Sequence, residues 1–121
     1  MRVPILACLA ALPALAQAPA AAPAKVDVRA FFQMNCVACH GVDGSATGPD
    51  GRRLKGQDFT DKKDMAGMTD AKLVKTIQKG LFFGRRMPSF KDRISEADSL
   101  RLVQEVLRKA EKGKVIAPEG K

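Results

Sequence analysis

Apolar residues recur at helical spacing in three segments of the chain. Residues 27–40 form the first segment, in which Asp27 stands at the position of a helix N-cap. Residues 70–79 form the second, with Thr69 as its N-cap and Gly80 as its end. We expect both segments to be amphipathic helices that bury one face each.

The third segment, residues 96–112, has the strongest helical pattern. Ser95 followed by Asp98 indicates a capping box, and Gly113 marks the end. The face expected to be buried consists of Leu100, Val103, Val106, Leu107 and Ala110. Residues 41–56 contain five glycines and Pro49, too many breakers for a regular element. Because no two segments read as a strand pair, the pattern predicts an all-α fold with three main helices and long loops.

The two ends of the chain differ in composition from its middle. Residues 1–16 join Arg2 to an uncharged apolar run, which predicts a secretory signal peptide cleaved after Ala16. The run is too short for a lasting membrane anchor. Cys8 would leave with the signal, and a lipidated Cys8 is the alternative. Residues 17–25, rich in Ala and Pro, predict a linker, and residues 113–121 a flexible tail, which leaves 26–112 as the folded domain.

Composition adds two expectations. The chain has 121 residues, which suits one domain, and its only aromatic residues are six Phe. A core built from this protein alone would lack bulky filler, so we expect a bound group near its centre. Lys and Arg outnumber Asp and Glu by 21 to 13, a net charge of +8 that favours acidic partners.

The candidate chemistry lies in a C-x-x-C-H sequence formed by Cys36, Cys39 and His40. On the last turn of a helix this spacing places all three side chains on one side. One porphyrin can then form thioethers with both thiols while the imidazole binds its iron. The pattern indicates attachment of a c-type haem, and it agrees with export because this haem is attached outside the cytoplasm.

Other uses of the two cysteines are less well supported. A disulfide between Cys36 and Cys39 would close a loop too short to constrain much of the unfolded chain. A thioredoxin-like dithiol needs a βαβ context, which the pattern lacks. A zinc site needs four ligands, and without Cys8 only three soft ligands remain.

The order of motifs resembles that of the class I c-type cytochromes, small monohaem proteins of electron transport. The matching features are Phe31 and Phe32, CVACHG at 36–41, T-G-P at 47–49, Leu54 and Gly56, the short helix ending at Gly80, Met87-Pro88, and the amphipathic last helix. The resemblance covers roughly residues 26–112. It implies a small cytochrome c-like fold around one haem c attached covalently through Cys36 and Cys39.

The second axial ligand of the iron is sought among the methionines, because His40 is the only histidine. The resemblance implies Met87, which matches the distal Met-Pro pair of the family, with Met65 in reserve. Met34 lies at apolar spacing on the first helix, and Met68 lies at the staple position before the second helix. Met34 is expected to pack in the core, and Met68 is expected to pair with Leu73.

The resemblance also implies the surroundings of the haem. The carbonyl of Pro49 is expected to accept the Nδ1–H of His40. The expected haem contacts are Phe31 or Phe32, Leu54, Phe59, Leu73, Ile77, Phe90, Leu100 and Val103. The candidates for pairing with the haem propionates are Arg52, Arg53, Arg85 and Arg86.

If His40 and Met87 occupy both axial positions of the iron, no substrate can bind to it. A His/Met-ligated iron exchanges single electrons, so the expected function is that of a periplasmic electron carrier rather than an enzyme. We expect acidic redox proteins as transient partners, attracted by Arg85 and Arg86 near the haem edge. Nucleic acid binding, stable membrane insertion and a stable oligomer are not expected.

Two other functions remain open. One is the cytochrome subunit of a periplasmic complex that oxidises sulfur compounds or alcohols. The other is a gas-binding or peroxidatic haem protein, in which Met87 does not stay bound to the iron.

Overall fold

Five helices follow one another in the computed structural model, which describes residues 25–120. They are α1 (Val28–Asn35), α2 (Val37–His40), α3 (Lys62–Ala66), α4 (Asp70–Lys79) and α5 (Glu96–Leu102), which continues as a π-helical turn over Val103–Leu107. Extended pairing within this part of the chain is limited to single bridges, so the predicted all-α class is confirmed. None of the helices described is both long and apolar enough to cross a membrane. The expected signal peptide and residues 17–24 of the expected linker lie outside the described residues.

The first predicted helix is divided in two at Cys36. Asp27 caps α1 as expected, since its carboxylate accepts hydrogen bonds from the backbone N–H groups of Arg29 and Ala30. Cys36 has a φ of −116°, which breaks the helical geometry before α2 begins.

The second predicted helix has the bounds that its sequence indicates. The hydroxyl of Thr69 accepts the backbone N–H of Lys72, and Gly80 ends α4 with a φ of +73°. The structure adds α3, capped by Asp61, which the sequence analysis did not predict. Five residues are too few to establish a helical period.

The last helix begins as predicted and ends early. Ser95 and Asp98 form the capping contacts, with the backbone N–H of Asp98 donating to Ser95 Oγ at 3.0 Å. Regular structure ends at Leu107, five residues before the predicted end. Of the five residues predicted to be buried, Leu100 is exposed, whereas the other four are buried together with Leu102.

The core lies where α5 crosses α1 and α4. Phe32 and Leu102 are almost fully buried there. Phe31 meets Phe90 edge to face at 5.7 Å between ring centroids, which links α1 to the segment before α5. This packing holds the end of α1, and therefore the attachment sequence, against the rest of the domain.

The C-terminal segment is packed against the domain, so the expectation of a flexible tail is wrong for residues 113–120. Ile116 is only 5% exposed, and its N–H donates to the carbonyl of Val42 at 2.8 Å. The carboxylate of Asp43 accepts the N–H of Gly113 at 2.7 Å, and that of Asp27 accepts the N–H of Glu119 at 2.9 Å. One apolar residue and two carboxylates order a segment that has no helical period.

Candidate functional site

The two cysteines and the histidine of the C-x-x-C-H sequence lie around one cavity. The N–H of His40 donates to the carbonyl of Cys36 at 2.9 Å, so one helical turn joins the two residues. Cys36 is half-buried and Cys39 is exposed, and both thiols are free. The predicted arrangement of the three side chains on one side is therefore present, even though α1 and α2 are separate helices.

His40 is buried and its ring is fixed from two directions. Its Nδ1 lies 3.0 Å from the carbonyl oxygen of Gln57. Because a carbonyl oxygen only accepts, Nδ1 carries the proton and Nε2 keeps a free lone pair. The ring also stacks on Phe59, with centroids 4.5 Å apart. Nε2 is the nitrogen left available to bind a metal.

Pro49 does not have the role that the resemblance implied. Pro49 is exposed, at the tip of a turn that the single bridge between Thr47 and Arg53 closes off. The carbonyl that reaches the imidazole belongs to Gln57, which follows Gly56.

Gly56 explains why this part of the loop can approach His40 and α2 so closely. A Cβ atom at Gly56 would lie 2.5 Å from Nδ1 of His40 and closer still to the carbonyl oxygen of Cys39. The N–H of Gly56 also donates to that carbonyl at 2.8 Å. A residue without a side chain is therefore required for the loop to pack on α2 and to bring the Gln57 carbonyl to the ring.

The cavity has a volume of about 390 Å³ and is lined mainly by apolar side chains. This volume is within the usual range for sites that bind small molecules and cofactors. The apolar wall is formed by Phe59, Met68, Leu73, Ile77, Leu81, Met87, Pro88, Phe90, Leu102 and Leu107.

Four of the expected haem contacts are in this wall. They are Phe59, Leu73, Ile77 and Phe90. Phe31, Phe32, Leu54, Leu100 and Val103 do not line it. The last helix lines the cavity with Leu102 and Leu107 instead. Val103 is buried in the core, and Leu100 is 38% exposed.

The four methionines of the described residues differ in whether they line the cavity, lie in the core or face solvent. Met87 is half-buried and lines the cavity, and the backbone carbonyl of Met87 accepts the N–H of Leu81 at 2.9 Å. Met68 also lines the cavity, whereas Met65 is 3% exposed in the core and does not reach it. Met34 is 77% exposed, so its expected place in the core is wrong.

The charged residues in the wall are all basic. Lys55, Lys72 and Arg86 line the cavity. Of the four arginines considered for the propionates, only Arg86 is in the wall. Arg52 pairs with Asp50 and Arg53 donates to the carbonyl of Ala46, both in the loop beyond the cavity.

Burial favours the neutral forms of the groups that would hold the cofactor. Burial, together with neighbouring Cys39, raises the pKa of the Cys36 thiol to about 12. Burial also lowers the pKa of His40 below its usual value, against the opposing effect of the Gln57 carbonyl. A neutral imidazole is the form that binds a metal, and a thioether carries no charge, so the site fits a haem bound through these groups.

Gln57 is the functional residue that the sequence analysis missed. It acts through its backbone carbonyl, which any residue has, so its side chain gives no signal. The neighbouring Gly56 is the one hint in the sequence. Its close approach to α2 becomes evident only in the folded chain.

Comparisons with known proteins relate the chain to c-type cytochromes. The sequence model of the family described as cytochrome c oxidase, cbb3-type, subunit III matches residues 23–104. A solved structure named KustC0563 c-type cytochrome is 28% identical, with a TM-score of 0.57, over 72% of this chain and 100% of that chain. Its tyrosine-to-phenylalanine mutant is 26% identical, with a TM-score of 0.54, over 71% and 100% of the two chains. No curated protein matches the chain significantly.

Proposed function

Since the chain belongs to the c-type cytochrome family of the cbb3-oxidase subunit III domain, we propose that it is an exported electron carrier with His40 and Met87 as axial ligands. The predicted family and cytochrome c-like fold are confirmed, and the chain is a class I-like monohaem cytochrome with covalently attached haem c. The proposal extends these results to the axial ligands, the cellular location and the partners.

The observation that carries the proposal is the shared cavity. Cys36, Cys39, His40 and Met87 all line it. The two cysteines supply the thioether positions and His40 supplies a neutral imidazole whose Nε2 is free. Met87 is preferred over Met68 as the second ligand because it stands in the Met-Pro pair that matches the family.

Haem iron supplies one-electron redox chemistry, and a thioether ligand raises its potential. The protein's part is to hold both ligands and to keep water out. His40 is oriented by Gln57 and Phe59, while the apolar wall surrounds the remaining space. With both axial positions filled, no substrate binds at the iron, which suits a carrier.

The charge distribution supports acidic redox partners. Lys55, Lys72 and Arg86 surround the cavity, and the whole chain carries +8. Basic groups around a redox centre attract acidic proteins into short-lived encounter complexes that weaken with salt. We place the protein in the periplasm, in agreement with the signal peptide that the sequence predicts.

Stopped-flow reduction by an acidic electron-transfer protein, reduced flavodoxin, tests this function. The rate constant should fall steeply as salt increases, whereas reduction by ascorbate should change little. The variant K55Q/K72Q should slow the reaction with flavodoxin and leave the reaction with ascorbate unchanged. Rates that are independent of both salt and these lysines would contradict the proposed attraction of acidic partners.

The family description favours one second candidate, a cytochrome subunit within a larger oxidoreductase. Size-exclusion chromatography of the native extract, followed by haem absorbance, separates the two. A free carrier elutes at the size of a single domain, whereas a subunit elutes with a dehydrogenase or oxidase.

A further inference from the structure

A strained turn precedes Met87. The N–H of Gly84 donates to the carbonyl of Leu81 at 3.1 Å, which closes a four-residue turn. Its two central residues, Phe82 and Phe83, have φ values of +51° and +55°. Turns with left-handed geometry at both central positions strongly favour Asn-Gly, and Phe in this conformation is costly. Strain of this kind is concentrated at functional sites.

The strained turn presents aromatic side chains to solvent. Phe83 has a relative exposure of 107%, Phe82 of 63%, and Leu81 is also exposed. We call these three residues the aromatic tip. The other four Phe of the chain are buried. The tip therefore exposes two of the six aromatic residues side by side, at the convex end of a two-residue turn.

The sequence around the tip is strongly basic. Residues 71–91 contain no Asp or Glu, and their six basic residues are Lys72, Lys75, Lys79, Arg85, Arg86 and Lys91. None of the ion pairs found within residues 25–120 involves Arg85 or Arg86. The guanidinium of Arg86 lies 4.8 Å from the ring centroid of Phe82, so charge and apolar surface are presented together.

We propose that the aromatic tip, with Arg85 and Arg86, is a reversible binding site for an anionic phospholipid surface. Exposed Phe and Leu side chains enter the boundary between headgroups and acyl chains, while neighbouring arginines bind lipid phosphates. The tip is too short to span a bilayer, so the attachment is peripheral.

A lipid surface fits the tip better than a protein partner does. Aromatic anchors buried in a protein interface mainly slow dissociation, whereas a carrier must leave its partner after each electron. A lipid surface holds the carrier without fixing its position, which leaves it free to move laterally between membrane-bound donors and acceptors. The inference goes beyond the proposed function, because neither Phe82 nor Phe83 lines the cavity.

The test mixes two components. One is the haem-loaded protein, purified after its export, and the other is a suspension of sucrose-loaded vesicles. One set of vesicles is pure phosphatidylcholine, and the other is an equimolar mixture with phosphatidylglycerol. Co-sedimentation measures the partition coefficient. The variant F82N/F83G replaces the tip residues with the pair that this turn prefers, so it removes both rings while relieving backbone strain.

Three further variants complete the set. R85Q/R86Q removes the two arginines, and K109Q/K112Q removes the same charge from an exposed basic pair near the C-terminal end of the last helix. M34S removes an exposed apolar side chain from α1. The absorption spectrum and the rate of reduction by ascorbate are recorded for every sample, so that loss of the haem site is distinguished from loss of vesicle binding.

We expect the wild type to bind the anionic vesicles, to bind phosphatidylcholine weakly, and to dissociate at about 1 M salt, where the Debye length is about 3 Å. F82N/F83G should weaken binding at least tenfold, and R85Q/R86Q about fivefold per arginine, from the usual contribution of a basic residue near such a surface. M34S should match the wild type, and K109Q/K112Q should lose less than R85Q/R86Q.

Three results would overturn the proposal. The first is a wild type that does not bind anionic vesicles. The second is F82N/F83G binding as tightly as the wild type. The third is slower electron exchange of F82N/F83G with reduced flavodoxin at unchanged vesicle binding, which would assign the tip to a protein partner.

Discussion

Single residues around His40 decide how the site is built. Gln57 contributes a backbone carbonyl, Phe59 a stacking face, and Gly56 the absence of a side chain. The carbonyl and the ring hold the imidazole directly, and Gly56 allows the loop to come close enough for the hydrogen bond. Since hydrogen bonds to the far nitrogen of a metal-binding histidine set its tautomer and orientation, these contacts determine which nitrogen faces the cavity.

The variant G56A tests this close packing. The added methyl group would collide with α2 and with the imidazole, so the free energy of unfolding of the haem-loaded protein should fall by about 1–3 kcal/mol or more. G67A is the matched control, since its Cβ would meet only the carbonyl of Asp64 at 3.4 Å. Urea unfolding followed by haem absorbance measures both variants. Equal stabilities for G56A and G67A would contradict the account.

The variant M87A tests the second axial ligand. Without the thioether the iron should become high-spin and bind carbon monoxide in its reduced form, as seen in the absorption spectrum. M65L should retain the spectrum of the wild type, because Met65 lies in the core away from the cavity. M68L should also retain it. If M68L opens the iron and M87A does not, the ligand is Met68.

Sequence and structure contributed different parts of this site. Cys36, Cys39 and His40 could be predicted because covalent haem attachment requires these residue types at this spacing. The role expected of Pro49 could not be carried over, since it depends on how the loop returns to α2. Met34 was misplaced because a three- or four-residue spacing does not say which side of a short helix meets the core.

At the level of elements, capping signals were more informative than helix length. Thr69 and Gly80 gave the bounds of α4, and Ser95 gave the start of α5. The break at Cys36 and the early end of the last helix were not predicted. Both depend on tertiary packing, which overrides local helical preference at those positions.

The C-terminal segment provides a test at this scale. I116A removes an apolar side chain that is buried beside Gly44, so it should cost about 2–5 kcal/mol of unfolding free energy. V115A changes the exposed neighbour and should stay within about 0.5 kcal/mol of the wild type. Thermal or urea unfolding compares them. Similar stabilities for the two variants would restore the original expectation of a flexible tail.

For the whole molecule, two carboxylates link stability to pH. Hydrogen bonds from the N–H groups of Ala30 and Glu119 lower the pKa of Asp27 despite partial desolvation. Burial raises the pKa of Asp43, but hydrogen bonds from Ser45 and Gly113 outweigh it and the net shift is downward. Since both folded-state pKa values lie below that of an unfolded Asp, about 3.9, their stabilisation is complete above this pH. It is lost as the pH falls through the folded-state values.

D43N tests this linkage. The variant should be less stable than the wild type at neutral pH, and the difference should shrink as the pH falls below about 4. D50N removes an exposed carboxylate as the control for net charge. Urea midpoints measured across the acid range give both curves. A stability difference between the wild type and D43N that does not change with pH would exclude the linkage.

The most direct test of the central claim is the absorption spectrum of the exported, haem-loaded protein in its ferric and ferrous forms, with and without carbon monoxide. An iron held by His40 and Met87 should be low-spin, show the weak red band of ferric methionine ligation, and not respond to carbon monoxide. A high-spin iron that binds the gas would contradict the electron-carrier proposal and assign the protein to catalysis or gas binding.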